Sequence, residues 1–219
     1  MEPVVLVHGL WMHGALMQWM ARRIARAGFA THCFTYPSVR LTMSENARRL
    51  AAFAQSIAAQ GNGRVHFFGH SLGGLLIARM LDETPGFEPG RMIFAGSPFA
   101  DSYAARVLSR VRVGRAAVGA AVAEWLQGQR PGDLARHEIG VIAGDRAMGL
   151  GMMVARGLPQ PHDGTITVEE THVPGAREHV VLHVSHTQMV VSPLVARYVC
   201  EFLRRGRFPR ADTESSGGA

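Results

Sequence analysis

Gly69-His70-Ser71-Leu72-Gly73-Gly74 sets a hydroxyl between glycines two positions before it and two positions after it. The apolar run 65–68 leads into this segment and the apolar run 75–81 leaves it. A serine on a sharp strand-to-helix turn sits in strained backbone, and side chains two positions away would collide there, so glycine is required. The same turn lifts the hydroxyl above the carboxyl end of a sheet and beside a helix N-terminus, where free N–H groups favour developing negative charge. Nucleophilic attack by Ser71 is the chemistry this predicts. A nucleophilic serine needs a general base, and that base needs a group to orient it. His179, His183 and His186 cluster at a late apolar run and are the candidates for the base. Asp145 and Asp163 are the candidates for the orienting carboxylate.

The elements that must position these groups can be read from the alternation of short β-rich runs with longer helical stretches. Strands are expected at 4–7, 30–34, 64–68, 91–95, 138–143 and 179–184, with helices at 19–27, 44–59, 75–82 and 193–204. This rhythm predicts an α/β fold: a doubly wound, mostly parallel six-stranded sheet flanked by helices, spanning residues 1–208. Residues 97–137 form an insertion longer than ordinary connections of this architecture, with one or two helices between 104 and 127 that read equally as a cap or as a crossover. Ser44 and Ser192-Pro193 are expected to start helices, and Gly28 and Gly61 to end them. The tail 209–219 has nothing to bury and is expected to be disordered.

Composition narrows the function. The 219 residues are 47% hydrophobic, 18% charged and 7% aromatic, enough for one large core and incompatible with intrinsic disorder. All 23 basic residues are Arg, opposed by 17 acids, for a formal charge of +6. They are scattered, with no basic stripe interleaved with aromatics, so nucleic acid is not an expected partner. Arg106, Arg110, Arg112 and Arg115 alternate with Val and Leu and offer a peripheral membrane contact. Cys33 and Cys200 lie apart without metal-ligand spacing, and neither HExxH, GxGxxG nor GxxxxGK[ST] occurs, so no metal and no cofactor is expected. A strand-like run from Pro3 leaves no space for a secretory leader, and no apolar window is long enough to span a bilayer, so a cytoplasmic protein is expected.

With its strand and helix in place, the Ser71 segment resembles the α/β-hydrolase family, over nearly the whole chain from Val4 to about Leu203. The family's order of nucleophile, acid and histidine implies Ser71 as nucleophile and His186, in Val184-Ser185-His186-Thr187-Gln188, as base. The loop Pro161-His162-Asp163-Gly164-Thr165 is similar to the acid loop of compact bacterial lipase-like and GPI-inositol-deacylase-like esterases. That similarity favours Asp163 as the acid and leaves Asp145 a strand-end acceptor. His8-Gly9-Leu10-Trp11 matches the family's oxyanion loop, implying that the Leu10 and Leu72 N–H groups hold the oxyanion while His8 braces the loop. Trp11 and His13 are placed at the mouth of the site. His70, with Met152 and Met153 from the Met-rich stretch 148–158, is assigned to substrate contact. The activity implied is cleavage of small-molecule or lipid carboxylic esters through an acyl-enzyme. A thioesterase or acyltransferase would use the same groups, and a non-catalytic binding module would need none of them.

Overall fold

The computed structural model describes residues 1–61, 63–109, 112–128, 134–148 and 157–210. Six strands, β1 (Pro3–Val7), β2 (Ala30–Phe34), β3 (His66–His70), β4 (Met92–Ala95), β5 (Ile139–Gly144) and β6 (Glu178–Leu182), form one sheet in the order β2-β1-β3-β4-β5-β6. Every neighbouring pair is parallel. The helices are α1 (Gln18–Arg26), α2 (Met43–Ala58), α3 (Leu72–Glu83), α4 (Tyr103–Ser109), α5 (Arg112–Gln127) and α6 (Pro193–Arg205). This is the doubly wound α/β layout that the alternating runs predict.

Parallel strands must be covered on both faces, so their residues are apolar without a break and only their direction alternates. Val5, Val7 and Phe67 pack under α2, α3 and α5. Val4, Leu6 and Phe68 face α1 and α6 on the other side. From β1 the chain crosses first to β2 on one flank and later to β3 on the other. Chain direction therefore diverges above the carboxyl ends of β1 and β3, and open α/β sheets bind ligands in that crevice.

Several local expectations shift. Thr42, not Ser44, caps α2: its hydroxyl accepts from Glu45 N–H while the Glu45 carboxylate accepts from Thr42 N–H. Ser44 lies inside the helix and donates instead to Glu124 Oε1 of α5 at 2.6 Å. Ser192 caps α6 with Pro193 at its first position, and Gly28 takes the left-handed conformation (φ +98°) after α1. Gly61 does not take it, because the chain leaves α2 through Ala59 in right-handed backbone. β3 runs on to His70 and α3 starts at Leu72, so the glycine-rich stretch is a one-residue corner rather than a loop. β6 stops at Leu182, where Val184 N–H folds back onto the Leu182 carbonyl, leaving His183 outside the strand.

The insertion 97–137 contains α4 and α5, the latter broken at Gly119 (φ +75°). At this break a side chain would meet Val39 O at 2.4 Å, and Ala120 N–H donates to that same carbonyl. Residues 211–219 of the expected tail lie outside the described residues. No described helix is long and apolar enough to cross a membrane.

Candidate active site

Ser71 is the single residue between β3 and α3, with φ +53° and ψ −123°. A non-glycine residue in that region stores roughly 1–3 kcal/mol of strain, which its surroundings must hold in place. Here Ser71 N–H donates to Ala95 O at 2.9 Å, tying the corner to β4. A β-carbon at Gly73 would lie 2.2 Å from Val7 O, and one at Gly69 would lie 2.6 Å from Gly74 Cα. Both glycines are therefore demanded by backbone packed against backbone. Leu72, the first residue of α3, has no intrahelical acceptor for its N–H.

The loop after β1 meets this corner. A β-carbon at Gly9 would sit 3.0 Å from Ser71 Cβ, which puts Leu10 beside the serine. His8 holds the loop by a closed set of contacts. Its Nδ1–H donates to Gly9 O at 2.8 Å, its Nε2 accepts from Tyr36 N–H at 3.3 Å, and the Tyr36 hydroxyl donates to His8 O at 2.9 Å. The two rings stack with centroids 4.3 Å apart. Burial lowers the His8 pKa and keeps the ring neutral, as its accepting nitrogen requires. Trp11 follows in left-handed backbone (φ +57°), and its N–H donates to Ser38 Oγ. The Leu10 and Leu72 N–H groups donate to no described residue.

Asp163 and His186 meet above the ends of β4 and β5. His186 Nδ1–H donates to Asp163 Oδ2 at 2.7 Å. The other carboxylate oxygen, Oδ1, accepts from Thr165 N–H at 2.9 Å and Ile166 N–H at 2.7 Å, so each oxygen has its own work and the carboxylate cannot spin. His186 N–H donates to Asp163 O at 2.9 Å, pairing the two loops through backbone as well. Space for the pair comes from strand-end glycine. A β-carbon at Gly144 would lie 2.4 Å from Val184 O and 2.9 Å from Asp163 Cβ.

Ser71 and His186 face one cavity of about 410 Å³, and the serine hydroxyl makes no hydrogen bond to a described residue. Around the serine the wall is Gly9, Leu10, Trp11, Leu72 and Thr187. Away from it the wall is apolar: Leu75 from α3, Leu108 from α4, and Val118, Val122 and Trp125 from α5. No Asp, Glu or Arg is among the described lining residues. The α5 wall residues are not among the residues expected at the site. Their spacing marks a helix face, which in sequence looks the same whether it meets a core or a cavity.

α5 is anchored by Glu124, which accepts from Ser44 of α2 and pairs with Arg79 of α3 at 3.1 Å. α4 is held from the acid loop, since the buried Glu170 accepts from both Tyr103 N–H and Thr167 N–H.

The remaining expected residues are distributed as follows. Trp11 lines the cavity and is exposed at its edge, whereas His13 is not in the wall and caps the short 3-10 turn Gly14–Met17. His70 reaches the wall, but its Nε2 is committed to the carbonyl of His186 at 3.0 Å. Met148 lines the cavity, while Met152 and Met153 lie outside the described residues. His179 is turned to Thr171 Oγ1 at 2.9 Å. Asp145 accepts from His183 Nδ1–H at 2.9 Å, away from the cavity. Arg106 pairs with Asp101; Arg110 and the side chains of Arg112 and Arg115 lie outside what is described. Among the described residues, no three His, Cys, Asp or Glu gather to hold a metal.

Comparison with solved structures shows the same fold in hydrolytic enzymes. The chain is similar to the mature form of a Bacillus licheniformis lipase, with a TM-score of 0.75 and 18% identity, over 94% of this chain and 92% of that one. It is similar also to a Paleococcus ferrophilus monoacylglycerol lipase (TM-score 0.62, 17% identity, 93% and 94% covered). A pyrethroid hydrolase from Sphingobium faniae is a third relative (TM-score 0.60, 16% identity, 93% and 98% covered). No curated protein sequence matches the chain. The model of the alpha/beta hydrolase family matches residues 4–214, and the chain belongs to that family.

Proposed function

We propose that this protein is a serine hydrolase that cleaves carboxylic esters of small-molecule or lipid type through an acyl-enzyme. One observation carries the reading: Asp163, buried behind the wall, holds His186 at 2.7 Å, and the His186 ring lines the same cavity into which the Ser71 corner opens. Because Asp163 holds Nδ1–H, the lone pair of His186 Nε2 is available for the serine proton. Ser71 Oγ makes no hydrogen bond to His186 here, and catalytic hydrogen bonds of free enzymes often close only with substrate present.

In this mechanism Ser71 Oγ attacks the ester carbonyl carbon as its proton passes to His186 Nε2. The carbonyl oxygen becomes an alkoxide held by the Leu10 and Leu72 N–H groups, each worth on the order of 3 kcal/mol in such positions. Collapse breaks the bond to the leaving alcohol, which takes the proton from His186. Water then attacks the acyl-serine as its proton passes to His186, and collapse breaks the acyl–Oγ bond while His186 returns that proton to Ser71 Oγ, releasing the acid and the free serine. None of these steps calls for a cofactor. The apolar wall from Leu75 to Trp125 takes the acyl chain, a reading supported by the likeness to two lipases.

A fluorophosphonate probe tests the reading. Folded wild-type protein is expected to be labelled at Ser71 and S71A is not; a folded wild type that resists the probe overturns the mechanism. Rates across p-nitrophenyl esters from acetate to palmitate then define the chain. Trp125→Ala, which opens the apolar end, is expected to move the preferred acyl length upward, changing the long-to-short kcat/KM ratio about tenfold. An unchanged ratio would place the acyl chain elsewhere.

A further inference from the structure

We propose that His70 is a positioning residue that holds the backbone of His186, so that one β3 terminus sets both the nucleophile and the base. The inference rests on the ester-hydrolase reading above. His186 is fixed at three points: its ring by Asp163 Oδ2, its N–H by Asp163 O, and its carbonyl by His70 Nε2 at 3.0 Å. The first two tie it only to the acid loop. The third ties it to β3, one residue before Ser71, and is therefore the contact that fixes the base relative to the nucleophile.

The chemistry of the pair determines the tautomer. A carbonyl can only accept, so His70 must carry its proton on Nε2. Its ring lies 4.8 Å from the His186 ring, centroid to centroid, and is almost wholly buried. Nδ1 has no described hydrogen-bond partner and points toward the Gly9 loop, where a β-carbon on Gly9 would come within 3.2 Å of it. A protonated His70 would bury an N–H with nothing to receive it. Burial first, and the neighbouring His186 second, push the His70 imidazole down to about 3, so it stays a neutral, single-tautomer strut at working pH. With Nε2 engaged by His186, the ring has no donor left for substrate.

The test uses two variants of similar polarity. The Gln amide nitrogen can reach the place of Nε2, whereas the shorter Asn amide cannot. H70Q is expected to keep kcat on a p-nitrophenyl ester within about threefold of wild type. H70N is expected to lose about 10- to 100-fold in kcat with KM nearly unchanged, the scale for a misplaced catalytic group. Melting curves confirm that both are folded. Equal kcat in the two variants, whether high or low, overturns the assignment.

A measurement on the unmodified protein stands beside it. Imidazole nitrogen resonances at neutral pH should show His70 protonated on Nε2 alone, and an Nδ1–H tautomer overturns the assignment without any variant. Fluorophosphonate labelling separates this from the parent reading. An unlabelled wild type overturns both, and a labelled wild type with indifferent variants overturns only the role of His70.

Discussion

Two Asp–His pairs stand at the carboxyl end of one sheet and differ little in bond length, 2.7 Å for His186–Asp163 and 2.9 Å for His183–Asp145. Their surroundings differ entirely. The side chains of His186 and Asp163 are 14% and 1% exposed, against 76% and 39% for His183 and Asp145. Water competes for the exposed pair and screens its charges, so that bond neither fixes a ring nor adds more than about 1 kcal/mol. In the buried pair the carboxylate has no solvent to turn to, and its second oxygen is already engaged by the Thr165 and Ile166 N–H groups. Spacing between an acid and an imidazole is therefore a poor sign of function; what surrounds the carboxylate decides whether it can orient its partner.

The contrast can be broken most severely at the bases. His186→Ala is expected to lower kcat by about 10⁵-fold or more, whereas His183→Ala leaves it within about twofold. Comparable losses in both would mean that the exposed pair shares the chemistry. At the acids, Asp163→Asn should cost about 10⁴-fold, because the amide no longer selects the useful tautomer of His186. Wild-type turnover in that variant would transfer the role of acid elsewhere.

Acid sensitivity sharpens the comparison further, since the buried site carries His70 beside it. Between the ordinary value of 6.5 and about 3, the unfolded chain binds a proton at residue 70 that the folded protein excludes. Stability from this group is therefore complete above that window and declines as the pH falls through it, by about 2 kcal/mol between pH 7 and pH 5. H70Q should show a shallower fall in urea midpoint over that range, and an equal fall would place the sensitivity in other groups. Asp145→Asn is expected to have the smallest effect, under about 1 kcal/mol on stability and under twofold on kcat.

Much of the architecture was legible because strands covered on both faces have to be apolar throughout, and helices then follow by alternation. The corner at Ser71 was legible in kind but not in extent. Gly69 and Gly73 look like loop formers in a sequence, yet they sit inside a strand and a helix because Val7 and Gly74 backbone pass too close for a side chain. Choosing among three histidines and two aspartates needed the family resemblance, since each has a partner in space that local spacing does not reveal. The strand expected over 179–184 ends at Leu182, two residues early, and His183, outside it, turns to Asp145 at the surface. The wall of Val118, Val122 and Trp125 was not legible, because apolar residues at helical spacing do not say what they face.

The cavity draws its two ends from different stretches of chain. The polar end comes from loops following β1, β3, β5 and β6, whereas most of the apolar end comes from one contiguous excursion between β4 and β5, fastened through Glu124 and Glu170. On the proposed ester-hydrolase reading, selectivity and turnover are separable by inheritance. Grafting the excursion of one relative onto the body of another should transplant its taste in acyl groups, provided the two carboxylate fastenings travel with their receptors.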